Sequence, residues 1–258
     1  MDIGIWSLLL AFILLGFPLF IFWQLKLPLL KTMAVSFLRM VVQLAVIGLV
    51  LQFIFQQVNL WLTLGWMLVM VVNAVWTILS RLKLDKRLLL PILLVSLGIT
   101  TLIVMPFVVI LIVKPRPLYS PVYLIPIYGM VLGNSMNSCA LALERFESGL
   151  SDYWKAYYTR IILGASLWEA ALPAFKKAMQ ASLLPQLLTI ASIGVVSLPG
   201  MMTGQILGGA SPLVAIKYQM MIMIAIFTSV TLTDYIAINL YLKNRFDHYY
   251  LPKEGKPT

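Results

Sequence analysis

The chain has 258 residues, 61% of them hydrophobic and 11% charged, with a net charge of +10. Soluble domains carry about 25% charged residues, so this composition excludes a water-soluble globular protein and indicates an integral membrane protein in lipid. The basic residues are scattered between apolar runs rather than gathered on one face, which argues against nucleic acid as a partner.

A membrane-crossing helix needs about 20 apolar residues, and seven segments qualify, near 3–23, 34–55, 60–80, 88–113, 121–143, 186–209 and 218–242. The expected fold is therefore all-α: a polytopic membrane protein of about seven transmembrane helices, in a single transmembrane domain over 1–258. The first run lacks a basic n-region and a cleavage site, so it reads as a retained span. Fifteen basic residues, from Lys26 and Lys31 to Lys253 and Lys256, fall in connections on one side; on the other fall Lys114, Arg116 and Lys217, the last just outside the outer end of the seventh span. The positive-inside rule then places the N-terminus outside and the C-terminus in the cytoplasm of a multi-pass cell-membrane protein.

In chain order, Gly16 and Pro18 predict a bend near the inner end of the first span. Arg39 and Gln43 share a face of the second. Arg39 either snorkels to the inner boundary or pairs inside the membrane. Pro91 and Pro106 mark the fourth span. In the fifth, Gly129 and Gly133 form a small-residue pair, and Asn134, Ser135, Asn137 and Ser138 crowd five positions. Polar groups in hydrocarbon need partners, so these four either bond to other helices or line a path for a solute.

Residues of about 145–185 form a cytoplasmic segment. Within it, Ser166 followed by Glu169 is a capping box, Gly164 permits a tight turn, and Pro173 ends this helix or starts the next one. A short helix of about two turns is expected, either lying on the membrane surface or held by a partner. The sixth span is broken at Pro199-Gly200, with Met201, Met202, Thr203 and Gln205 on the break. These pack the helix or, with Asn134 and Asn137 facing them, contact a solute. Asp234, in the seventh span, lies about 12 Å above its inner end and Arg39 about 8 Å above that of the second, depths that allow an intramembrane charge pair.

The Gly164-Ala165-Ser166 turn with Trp168 and Glu169 resembles the coupling loop of ABC-transporter permeases. With Gly133-Asn134-Ser135-Met136-Asn137 and Ser197-Leu198-Pro199-Gly200-Met201-Met202-Thr203-Gly204-Gln205, the chain resembles the FetB-type permeases, which include plant aluminium-tolerance permeases. The likeness is densest from Pro121 to Asp234. It departs at Tyr158-Thr159-Arg160, where importer permeases often carry Glu-Ala-Ala. The resemblance implies a permease subunit working as a homodimer, two copies of an ABC ATPase gripping Gly164, Ala165, Ser166, Trp168 and Glu169, and export of iron or another metal ion.

No Gly-x-x-x-x-Gly-Lys-Ser/Thr loop is present, so ATP hydrolysis is expected on the separate subunit and no resident cofactor on this chain. The lone histidine, His248, and lone cysteine, Cys139, give no zinc spacing. Two further readings stand beside export: an ABC importer permease for an amino acid or similar small solute, and a membrane enzyme acting on lipid or peptide.

Overall fold

The computed structural model describes residues 4–82 and 84–246. Lys83 and the tail with His248, Lys253 and Lys256 lie outside the described residues. The described chain is helical almost throughout, as an all-α membrane protein requires. It divides into two compact units, Met1–Gln57 and Val58–Thr258.

The first unit holds α1 (Ile5–Ile13), α2 (Gly16–Gln24) and α3 (Leu30–Gln57), with α2 packed on α3. The expected bend falls at Leu14-Leu15, ahead of Gly16, because Pro18 fits the first turn of a new helix, where its missing amide proton costs nothing. The apolar stretch of α3 is exposed along its length, a surface suited to hydrocarbon.

The second unit contains α4 (Leu60–Arg81), α5 (Lys86–Pro106), α6 (Pro121–Asp152), α7 (Trp154–Ile162), α8 (Leu167–Ser192), α9 (Gly200–Leu207) and α10 (Pro212–Arg245). Polar caps start several of these. Asn59 Oδ1 accepts from the amides of Trp61 and Leu62, Asp85 from that of Arg87, and Ser211 Oγ from that of Val214. Pro212 follows at the first helical position, where proline is favoured. After Pro106, α5 continues as a π-helix over Phe107–Val113, since a proline that cannot donate inside a helix invites such a widening.

The centre of this unit is α6, against which α4, α8 and α10 pack; α10 also packs on α5 and α9. Leu143, Phe146, Tyr128 and Tyr241 are buried at these contacts. Among the described residues, four helices are long and apolar enough to cross a membrane: α3, α4, α5 with its π turn, and α10. The count of seven is not reached on that criterion.

Two expectations need correction. The capping-box helix is not two turns long: α8 runs 26 residues, through Pro173 and Pro185. An interior proline costs about 3 kcal/mol. Here Ala170, Ala171, Ala174, Phe175 and Ala178 bury one face of the helix, and that packing keeps it continuous. The expected sixth span, 186–209, is therefore not one broken helix. It is the end of α8, a turn at 193–199 closed by a bridge between Ile193 and Ser197, and the separate short α9. Positive φ at Gly194 (+87°) makes that turn possible.

Candidate functional site

The turn between α7 and α8 closes itself at both ends. Leaving α7, Gly164 N–H donates to Ile161 O at 3.0 Å and Ala165 N–H to Arg160 O at 3.0 Å. This is a Schellman motif, and it requires the left-handed residue that Gly164 supplies with φ +90°. Entering α8, Ser166 N–H donates to Glu169 Oε2 at 2.8 Å, and Glu169 N–H to Ser166 Oγ at 3.3 Å. The capping box read from the sequence is thus present. The Ser166 backbone hydrogen bond, followed by that from its hydroxyl, holds the Glu169 carboxyl below its ordinary value, so it stays ionised at neutral pH. With its backbone satisfied locally, the turn leaves Ile162 and Leu163 uncovered, at 69% and 80% exposure. Trp168 is partly exposed beside them.

Trp168 links this surface to the core. Its ring lies 4.8 Å from that of Phe175, which meets Phe146 at 6.4 Å and Tyr235 at 5.7 Å. Phe146 meets Tyr241 edge-on at 6.2 Å. Tyr241 Oη donates to Glu147 Oε2 at 2.8 Å, and Arg245 lies 3.5 Å from Glu147 Oε1. All three side chains are buried. On α7, Tyr157 packs on Phe246 at 5.3 Å.

Deeper in the bundle, polar groups form a seam among α6, α8 and α10. Asp234 is fully buried, and Ser138 Oγ donates to its Oδ2 at 2.6 Å. Ser138 Oγ is also 3.4 Å from Ser182 O. One level away, Gln186 Nε2 approaches Asn134 Oδ1 at 3.5 Å, while Asn134 Nδ2 donates to Met130 O at 2.8 Å. Thr233 Oγ1 donates to Thr100 Oγ1 at 3.0 Å. Among the described residues, Asp234 Oδ1 and Ser135 Oγ are buried with no hydrogen-bond partner.

The expected path residues separate. Asn134 is half-buried against Gln186, whereas Asn137 is exposed. Met202 lines an open cavity of about 620 Å³ between α8, α9 and α10, with Gln219, Met220 and Met223. Gln219 Oε1 and Gln205 Oε1 are buried without hydrogen-bond partners among the described residues. Arg39 is exposed on the first unit, and Asp234 belongs to the second. Among the described residues no three His, Cys, Asp or Glu side chains gather where a metal ion could sit.

Sequence reasoning missed Ser182, Gln186, Thr100, Glu147 and Tyr241. Gln186 stood in an apolar run, which was a usable signal. Glu147 read as cytoplasmic, and nothing local marked it for burial.

Comparison with known proteins gives a consistent answer. The family model described as "Uncharacterised protein family (UPF0014)" matches residues 5–246. A UPF0014 membrane protein of Synechocystis is 37% identical over 195 residues, 76% of this chain and 75% of its own length. The protein ALUMINUM SENSITIVE 3 of Arabidopsis thaliana is 39% identical over 194 residues, 74% of this chain and 68% of its own. The probable iron export permease protein FetB of Escherichia coli is 31% identical over 237 residues, 91% of this chain and 89% of its own. No solved structure matches.

Proposed function

Because the chain belongs to the UPF0014 family of membrane proteins, which the resemblance to FetB anticipated, we propose that it is the permease subunit of an ABC transporter that exports iron or another metal ion. The observation that carries this reading is the α7–α8 turn: a locally closed, rigid loop presenting Ile162, Leu163 and Trp168 to solvent. Exposed apolar side chains on a fixed scaffold are what a partner needs to grip. The partner in this reading is a separate ATPase subunit, so hydrolysis takes place there, and two copies of this chain form the pore. The domain acts as one permease with its N-terminus outside and its C-terminus in the cytoplasm.

The solute path combines Asn134 and Asn137 on α6 with Met201, Met202 and Gln205 on α9. The open cavity lined by Met202 and Gln219 supports a role for α9, since the buried amide oxygen of Gln219 can take a ligand there. The test is reconstitution of the chain with its ATPase in vesicles, scanning several metal ions. ATP-dependent metal movement is expected. In a Cys139→Ala background, single cysteines at the five path positions should react with a small water-soluble thiol reagent. Movement at full rate with none of the five labelled ends the path assignment; absence of transport for every metal ends the export assignment.

The intramembrane charge pair expected of Arg39 and Asp234 is tested by a double-mutant cycle. Single neutralisations should lower the amount of folded protein more than Arg39→Gln combined with Asp234→Asn. Strictly additive losses in that double-mutant cycle contradict the pair.

A further inference from the structure

At the end of α6 that carries its charges, a groove of about 210 Å³ opens between α6 and α8. Arg145 and Ser148 line it from α6, Lys177 from α8, and Leu141, Gly149, Asp152 and Ala181 complete it. The helices approach closely here: a methyl group added at Gly149 would sit 3.4 Å from Ala174 Cβ. Small residues at the crossing leave the floor open, so the longer basic side chains stand as its rims.

The charges on these rims are available. Among the described residues Arg145 makes no ion pair; the neighbouring Glu144 lies 3.8 Å from Arg81. Lys177 sits 4.0 Å from Asp152, but both are more than half exposed, a geometry that contributes little. Its ammonium also lies 5.2 Å above the Tyr153 ring. A guanidinium, an ammonium and the Ser148 hydroxyl thus converge as donors, with one carboxylate as the opposing charge.

The position along the helix identifies the ligand. From Leu141 to Asp152 the groove follows about 16 Å of α6 at 1.5 Å per residue. It starts in the apolar stretch and ends among charged residues, so it straddles the boundary between hydrocarbon and water. A basic pocket between helices at the level of that boundary suits a lipid head group.

We propose that this groove binds the phosphodiester head group of an anionic membrane lipid, with Arg145 and Lys177 on the phosphate, Ser148 as a further donor, and the acyl chains leaving past Leu141. The site is independent of the transport reading, because it requires only that the chain sit in a membrane.

The test uses the full chain alone in detergent, titrated with phosphatidylglycerol or phosphatidylcholine and read by native mass spectrometry. Phosphatidylglycerol should bind more tightly than phosphatidylcholine, and higher salt should weaken it. Removing each cation should cost roughly fivefold in affinity, so Arg145→Gln with Lys177→Gln loses on the order of 25-fold. Asp152→Asn should tighten binding, and it keeps the site readable if the double variant fails to fold. Equal binding of the two lipids, or an unchanged affinity in either variant, overturns the proposal. So does displacement of the lipid by glycerol phosphate at equal concentration, which would make the groove a site for free anions.

Discussion

Gly164→Val should leave the protein inserted and helical while reducing its stimulation of the proposed ATPase partner by about fivefold or more. The reason is backbone geometry rather than contact. Nothing lies within 4 Å of a Cβ added at Gly164, so the valine meets no obstacle. Its φ of +90° is the cost, since a β-branched residue there is strained by about 1–3 kcal/mol. That strain is relieved by opening the Schellman bonds to Ile161 O and Arg160 O, which displaces Leu163 and Trp168 from their fixed places. At 1.4 kcal/mol per tenfold, the population of the closed turn falls by roughly five- to 150-fold. Gly164→Asn should retain most of the activity, because asparagine tolerates the left-handed region. ATPase binding and turnover in nanodiscs measure both. Wild-type coupling in the valine variant would show that this turn is not where the partner holds the chain.

Glu147→Ala should destabilise the folded bundle by about 3–5 kcal/mol, the usual loss when one member of a buried charge pair is removed. Glu147 is 4% exposed and Arg245 7%. The substitution takes the carboxylate from Arg245 and the acceptor from the Tyr241 hydroxyl in one step. Glu147→Gln keeps an oxygen to accept from Tyr241 and should cost less than the alanine variant. Unfolding in detergent, followed by loss of helical signal, reads both values. A change within about 0.5 kcal/mol for the alanine variant, the size of an ordinary surface substitution, would contradict a structural role for the carboxylate.

These two sites differ in how far the sequence revealed them. The Gly164 turn and the capping box were legible because each is a local device: its partners lie three to five residues away, and residue type alone implies the geometry. The caps at Asn59, Asp85 and Ser211 are equally local devices, although the sequence reading did not single them out. Glu147 was not legible, because its partners Tyr241 and Arg245 lie more than 90 residues along the chain. Glu144, Arg145 and Ser148 stand close to it in sequence, and it fell in the segment read as cytoplasmic, so it read as solvated.

The fate of Pro173 has a related cause. Read locally, proline stops a helix, but the alanines of α8 pack against α6 over several turns and hold it straight through. That misplacement carried forward to the sixth span. Asn134 and Asn137 illustrate the limits of spacing: three residues apart share a face only loosely. The structure turns Asn134 toward Gln186 and leaves Asn137 outside. Burial of Asp234 beside Ser138 was half legible, since each was singled out as an intramembrane polar residue but not as the other's partner.

The close approach of Gly149 to Ala174 has a mechanical consequence. It is a fulcrum placed near one end of a long rod. From Trp168 to Ala174 the arm is about 9 Å, and from Ala174 to Ser192 about 27 Å, at 1.5 Å per residue. If α8 rocked as a rigid rod about that point, a push of about 1 Å at the short arm would sweep the far end through about 3 Å.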